Sequence, residues 1–91
     1  MQIVIFTNPK HCAPCRLQES ELTKAHGLGL PREAVAVVDV TDPFDAFKVS
    51  YYEIQATPTL VVINDQKKEV YRHVGALKAE ELLALVQDQV Q

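Results

Sequence analysis

The chain has 91 residues, of which 47% are hydrophobic and 23% are charged, so it has room for one small globular domain and is too apolar to remain disordered. Its net charge of −3 argues against a nucleic-acid-binding role, because binding to phosphates needs clustered basic residues and the basic residues here are scattered. No apolar run approaches the roughly 20 residues that a membrane span requires, and residues 1–7 lack the basic segment of a signal peptide, so we expect a cytoplasmic protein with no membrane association.

The chain begins with a strand and a helix. A continuous apolar run at residues 3–6 is typical of a strand buried on both faces. A turn at residues 8–11 leads into a helix that runs to about His26. Pro14 suits the first turn of this helix, where its missing N–H is no loss, and Gly27 fits the position just past the helix end.

A second strand and a second, shorter helix follow. The strand is predicted by the apolar run at residues 34–40. Asp42 and Pro43 then indicate a helix start, with Asp42 as the capping residue and Pro43 at the first helical position. Three aromatic residues at helical spacing predict that this helix is amphipathic and buries its aromatic side in the core: Phe44, Phe47 and Tyr51.

The last part of the chain predicts a hairpin and a final helix. An apolar strand at residues 59–63 and a fourth strand at residues 69–74 are separated by a short turn, which makes them an antiparallel pair. After Gly75, helical spacing continues to the end of the chain at Ala79, Leu82, Leu83, Val86 and Val90. The order β-α-β-α-β-β-α, within a single domain of residues 1–91, predicts an α/β fold with a four-stranded mixed sheet and helices on both faces.

Cys12 and Cys15 are the only cysteines, and they are separated by two residues. A bond between them closes too short a loop to stabilise the fold appreciably, so the pair is expected to serve chemistry rather than structure. Zinc binding is the alternative. It requires four ligands, and His26 and His73 do not follow a zinc-finger spacing, so we favour a redox role and expect no metal.

Four segments in this order resemble the thioredoxin family. A Cys-x-x-Cys motif lies between the first strand and the first helix, and Ala56-Thr57-Pro58-Thr59 resembles the cis-proline loop. Residues 60–63 are similar to the strand that follows this loop, and Val74-Gly75-Ala76-Leu77 to the stretch before the last helix. The resemblance covers nearly the whole chain and implies a minimal thioredoxin fold, with a cis Thr57–Pro58 bond beside the cysteines and Thr57, Pro58 and Gly75 in contact with substrate.

The position of the motif predicts different roles for its two cysteines. Cys12 lies at a helix N-terminus, where free N–H groups and the helix dipole favour its thiolate, and Lys10 and His11 are candidate modulators of that charge. Cys15, one turn further, is expected to be more buried. Cys12 would attack a substrate disulfide, and Cys15 would resolve the mixed disulfide.

The residues between the cysteines, Ala13 and Pro14, are closer to the Gly-Pro of thioredoxins than to the Pro-Tyr usual in glutaredoxins. The resemblance therefore implies a dithiol reductant of protein disulfides, reduced by a flavoprotein thioredoxin reductase, monomeric, and without a bound cofactor. The alternative is a glutathione-dependent, glutaredoxin-like protein, because the chain has the size of a glutaredoxin. The Gly-Gly and acidic residues that glutaredoxins carry before their last helix are absent from residues 75–78, which speaks against this alternative. A binding module without turnover is disfavoured by the presence of both cysteines and Pro58, and an oxidant or isomerase would need an oxidising compartment.

Two positions differ from the thioredoxin pattern. His11 replaces the tryptophan that usually precedes the first cysteine, and Phe6 replaces the buried aspartate that accepts a proton from the second. Asp39, the only charged residue in the second strand, is the candidate substitute acceptor, although a strand-end residue of this kind is expected to reach solvent.

Overall fold

A computed structural model describes residues 1–90, with side chains for residues 1–87. Two parts of the predictions lie outside the described residues. These are the side chain of Val90, the last member of the predicted apolar series, and Gln91, the last residue of the predicted domain. The helices and strands follow the predicted order: β1 (Gln2–Thr7), α1 (Ala13–Gly27), β2 (Val35–Asp39), α2 (Ala46–Tyr51), β3 (Thr59–Ile63), β4 (Glu69–Val74) and α3 (Ala79–Val90). None of the helices described is long and apolar enough to span a bilayer.

The four strands form one mixed sheet in the order β2-β1-β3-β4. β1 pairs in parallel with β2 and antiparallel with β3, and β3 and β4 form the predicted antiparallel hairpin. Because β1 and β3 lie in the middle of the sheet, their side chains are buried on both faces, which explains their continuous apolar sequences. The register pairs Thr7 with Asp39 and Phe6 with Thr59, so the loop after β1 and the loop before β3 meet at the same end of the sheet.

Side chains along the central strands alternate between two cores, one on each face of the sheet. Helices α1 and α3 cover the first face, whose core consists of Ile3, Ile5, Ala25, Leu30, Leu60, Val62, Leu77, Ala79 and Leu82. Helix α2 and the residues after it cover the second face, where Val49, Tyr52 and Ile54 pack on Val4, Phe6, Val38, Val61 and Ile63. The predicted α/β fold with helices on both faces is confirmed.

The predicted burial of the three aromatic residues near α2 is wrong. Phe44, Phe47 and Tyr51 are 86%, 67% and 73% exposed. Phe47 and Tyr51 lie on one side of α2, and Phe44 precedes the helix in a 3₁₀ turn at Pro43–Asp45. The opposite side of α2 faces the sheet. Val49 is two residues from both Phe47 and Tyr51, which is about 200° around an α-helix. Burial of Val49 together with Tyr52 therefore turns the aromatic side outward.

Three helix and strand ends need comment. Strand β2 begins at Val35 rather than at residue 34, because residues 32–34 form a 3₁₀ turn. Gly27 is the last residue of α1 rather than the residue after it, and the left-handed conformation that favours glycine occurs two residues later, at Gly29 with φ +111°. Asp42 does act as a cap, since its side chain accepts a hydrogen bond from the Phe44 N–H at 3.0 Å, but it caps a 3₁₀ turn at Pro43–Asp45, and α2 itself begins three residues later than predicted, at Ala46.

Candidate functional site

The two cysteines lie at the N-terminus of α1, in the loop that leaves the central strand β1. They are joined by a disulfide, with their Cα atoms 5.1 Å apart. Cys12 is the N-cap of the helix, and its Sγ accepts a hydrogen bond from the Cys15 N–H at 3.1 Å. A helix N-terminus carries partial positive charge, so this position stabilises negative charge on the Cys12 sulfur. Ala13 and Pro14 between the cysteines are exposed.

The two sulfurs have different surroundings. Cys12 is half-buried, whereas Cys15 is 4% exposed. The Asn8 N–H, at the start of the loop after β1, points at the Cys15 Sγ at 3.5 Å. A reactant that approaches from solvent therefore meets Cys12 first, as the sequence predicts, while Cys15 lies behind it with a backbone donor directed at its sulfur.

The predicted substrate-binding residues lie together beside Cys12. The Thr57–Pro58 bond is cis, as predicted, and Pro58 is fully buried. The Cys12 Sγ lies 3.4 Å from the Thr57 carbonyl oxygen and 3.6 Å from the Thr57 Oγ1. Gly75 donates its N–H to the Pro58 carbonyl at 2.8 Å and adopts φ +104°, which disfavours any residue with a Cβ. Thr57 therefore contacts the Cys12 sulfur directly, and Gly75 holds the proline loop that carries Thr57.

The candidate modulators Lys10 and His11 are exposed in the loop before the cysteines. Within the described side chains, neither forms a hydrogen bond or ion pair with a sulfur, and Lys10 is tied to the loop through its backbone N–H, which donates to the Asn8 Oδ1 at 3.1 Å. These two side chains can therefore act on the cysteines only through their charge, and solvent strongly screens that electrostatic interaction.

The position of the family's buried acid is apolar here. Phe6 has no solvent exposure, and its ring lies 5.8 Å from that of Tyr52. Asp39 lines the same cavity as Cys15, at the end of β2. Its Oδ1 accepts hydrogen bonds from the Thr41 hydroxyl at 2.6 Å and the Thr41 N–H at 2.8 Å, and these two bonds lower the pKa of Asp39. A carboxylate held ionised in this way is a poor proton acceptor, which weakens the case for Asp39 as the substitute.

Two polar residues of α1 that the sequence analysis did not single out reach toward the start of α3. Gln18 is 2% exposed and hydrogen-bonded through both ends of its amide to the backbone of Leu77. Glu21 accepts a hydrogen bond from the Ala79 N–H at 3.0 Å. Both partners are nearly 60 residues away in sequence, so no local pattern marks these contacts. Among the described residues, no group of three or more metal-binding side chains comes together.

Comparison with known proteins gives consistent matches. The model of the thioredoxin-like domain family matches residues 2–89. The chain is similar to thioredoxin-2 of a malaria parasite, with a TM-score of 0.79 and 20% identity over 94% of this chain and 80% of that one. It is similar to Fasciola hepatica thioredoxin, with a TM-score of 0.71 and 30% identity over 93% of this chain and 77% of that one. It is also similar to thioredoxin 1 of Thermosipho africanus, with a TM-score of 0.72 and 15% identity over 99% of this chain and 94% of that one. A comparison with curated protein sequences found no match.

Proposed function

Since the chain belongs to the family of thioredoxin-like domains and carries a close Cys12–Cys15 pair, which makes it a thiol–disulfide oxidoreductase, we propose that it acts as a dithiol reductant of protein disulfides. The observation that carries the proposal is the asymmetry of the two sulfurs. Cys12 is accessible at a helix N-terminus, and Cys15 is buried within bonding distance of it. One sulfur can attack a large substrate, and the other can act only on Cys12.

The reaction has two steps. The Cys12 thiolate attacks one sulfur of the substrate disulfide, which forms a mixed disulfide and releases the other substrate sulfur as a thiolate. Cys15 then loses its proton and attacks the Cys12 sulfur, which releases the second substrate thiolate and leaves Cys12–Cys15 oxidised. Two electrons pass to the substrate, and the two thiolates formed on it take up protons from solvent.

Each step has support from the surroundings of its sulfur. The Cys15 N–H and the partial positive charge of the helix end favour the Cys12 thiolate, which makes the first attack. The Asn8 N–H directed at the Cys15 Sγ favours negative charge on Cys15 during the second step. The Thr57 backbone lies beside Cys12 and offers a pairing site for an extended substrate segment, in the manner of an added β-strand, while the Gly75 N–H holds the Pro58 carbonyl.

We propose that the electrons come from a flavoprotein thioredoxin reductase rather than from glutathione. Three backbone N–H groups at the start of α3, where a glutathione carboxylate would bind, are already occupied. Leu77, Lys78 and Ala79 donate their N–H groups to Gln18, Glu81 and Glu21, at 2.8, 3.1 and 3.0 Å. Two of these acceptors are carboxylates, which would repel an anionic peptide. The proposed setting is the cytoplasm, where substrate disulfides are kept reduced.

Coupled turnover tests the proposal. The protein is added to insulin and NADPH, either with thioredoxin reductase or with glutathione and glutathione reductase, and NADPH oxidation is followed. We expect turnover with thioredoxin reductase and much less with glutathione. The variants Cys12→Ser and Cys15→Ser, which keep one sulfur each, serve as controls and should both be inactive in the thioredoxin reductase assay. Activity with glutathione alone, retained by Cys15→Ser, would instead establish the glutaredoxin-like alternative.

A further inference from the structure

Gln18 is a buried amide one helical turn beyond Cys15. It is 2% exposed, and both ends of its side chain bind one residue: its Nε2–H donates to the Leu77 carbonyl at 3.1 Å, and its Oε1 accepts from the Leu77 N–H at 2.8 Å. Burying an amide is unfavourable unless all of it is hydrogen-bonded, and this arrangement satisfies the side chain and the backbone together. The carboxamide thus pairs with Leu77 as a neighbouring strand would.

These contacts complete a closed path of hydrogen bonds around the cysteine pair. From α1, Gln18 holds Leu77, and two residues earlier the Gly75 N–H donates to the Pro58 carbonyl at 2.8 Å. Thr57, joined to Pro58, contacts the Cys12 Sγ through its carbonyl oxygen and its hydroxyl, at 3.4 and 3.6 Å. The segment 75–77 is therefore fixed at one end by the proline loop and at the other by the helix that carries both cysteines.

We propose that Gln18 is a positioning residue for protein substrates: it holds the segment 75–77 at a fixed distance from Cys12, so that an extended substrate chain fits between this segment and Thr57. That the substrate is a protein disulfide rests on the proposed function. That Gln18 holds the segment 75–77 rests only on the hydrogen bonds described above. Gln18 takes no part in electron or proton transfer. It acts on how well a protein disulfide is bound, and not on how reactive the thiols are.

Glutamate at position 18 provides a reversible test. The ionised carboxylate can accept from the Leu77 N–H but repels the Leu77 carbonyl, whereas the protonated acid supplies one donor and one acceptor as the amide does. Burial raises the pKa of such a carboxyl, and so do the carboxylates around it: Glu19 and Glu21 on α1, Asp39 on β2, and Glu80 and Glu81 on α3. Lys24 and Lys78 act in the opposite direction, from more exposed positions. Gln18→Glu should therefore release the segment at high pH and hold it again at low pH.

The direct readout is hydrogen exchange of the Gly75 and Leu77 amides, measured by NMR as the ratio of variant to wild type at each pH. We expect Gln18→Glu to accelerate exchange of the Gly75 amide by about tenfold or more at pH near 8, and the ratio to fall toward one near pH 5. The Leu77 amide, which keeps the carboxylate as its acceptor, should change less. Gln66→Glu, at an exposed position in the β3–β4 turn, introduces the same charge and should leave the ratio at one throughout. Unchanged exchange at Gly75 in Gln18→Glu, or a ratio independent of pH, would overturn the proposal.

Kinetics separate positioning from thiol chemistry. Gln18→Met has a similar shape without the hydrogen bonds, and we expect it to raise the KM for insulin by about tenfold while kcat and the rate with a small aromatic disulfide stay within about twofold of wild type. Equal losses with both disulfides would show that Gln18 acts on the thiols and would contradict the positioning role. A wild-type protein inactive with insulin would count against the proposed function instead, and amide exchange would still decide whether Gln18 holds the segment.

Discussion

Replacing Phe6 with alanine is expected to lower the free energy of unfolding by about 3–5 kcal/mol. The Phe6 ring has no solvent exposure and lies on a central strand, against Val38, Val61 and the ring of Tyr52. Because β1 is hydrogen-bonded on both sides, the backbone cannot move in to fill the cavity that the ring leaves. A domain of this size has a total stability of only ~5–15 kcal/mol, so the melting temperature should fall by at least about 12 °C.

Urea denaturation of the oxidised protein, followed by circular dichroism, measures this loss as a change in midpoint at constant slope. Phe44→Ala is the matched control, because it removes the same ring from a position that is 86% exposed. That control should change the free energy of unfolding by less than ~0.5 kcal/mol. If Phe44→Ala costs as much as Phe6→Ala, the Phe44 ring, in the 3₁₀ turn before α2, is buried in the core after all, and our description of the second core is wrong.

Three further outcomes follow from the site. Limiting iodoacetamide at neutral pH should label Cys12 of the reduced protein before Cys15, because Cys12 is accessible and at the helix end; mass mapping that finds Cys15 labelled first would reverse their roles. Cys15→Ser should accumulate adducts with protein substrates that dithiothreitol releases, whereas Cys12→Ser should not, and equal trapping on non-reducing gels would contradict the mechanism. Hydrogen bonds from the Ala79 N–H and Lys24 lower the pKa of Glu21, so its stabilising effect is present above the ordinary glutamate pKa and is lost as the pH falls through the lowered value. Urea titrations at about pH 7 and about pH 3 should accordingly show a smaller acid-induced loss of stability in Glu21→Gln than in wild type, and equal losses would refute this role.

The sheet was predictable because its strands differ clearly in pattern from its helices. The central strands are continuous apolar runs, since both of their faces are covered, and the short turn between the last two strands permits only a hairpin. The face of α2 was not predictable in the same way. Both its aromatic side and the side with Val49 are apolar at helical spacing, and only the packing of Val49 and Tyr52 on Phe6 decides between them.

Different parts of the site depend on different kinds of information. Cys12 and Cys15 could be placed at a helix start from local sequence, because a strand, a turn and a proline in the first helical turn fix that position. The cis Thr57–Pro58 bond could be predicted only from the family resemblance, since about 5–6% of such bonds are cis in general. Gln18 gave no signal at all. A glutamine in a helix is usually solvated, and its burial follows from a hydrogen-bonding partner 59 residues away, which becomes its neighbour only after α1 and α3 have packed on the same face of the sheet.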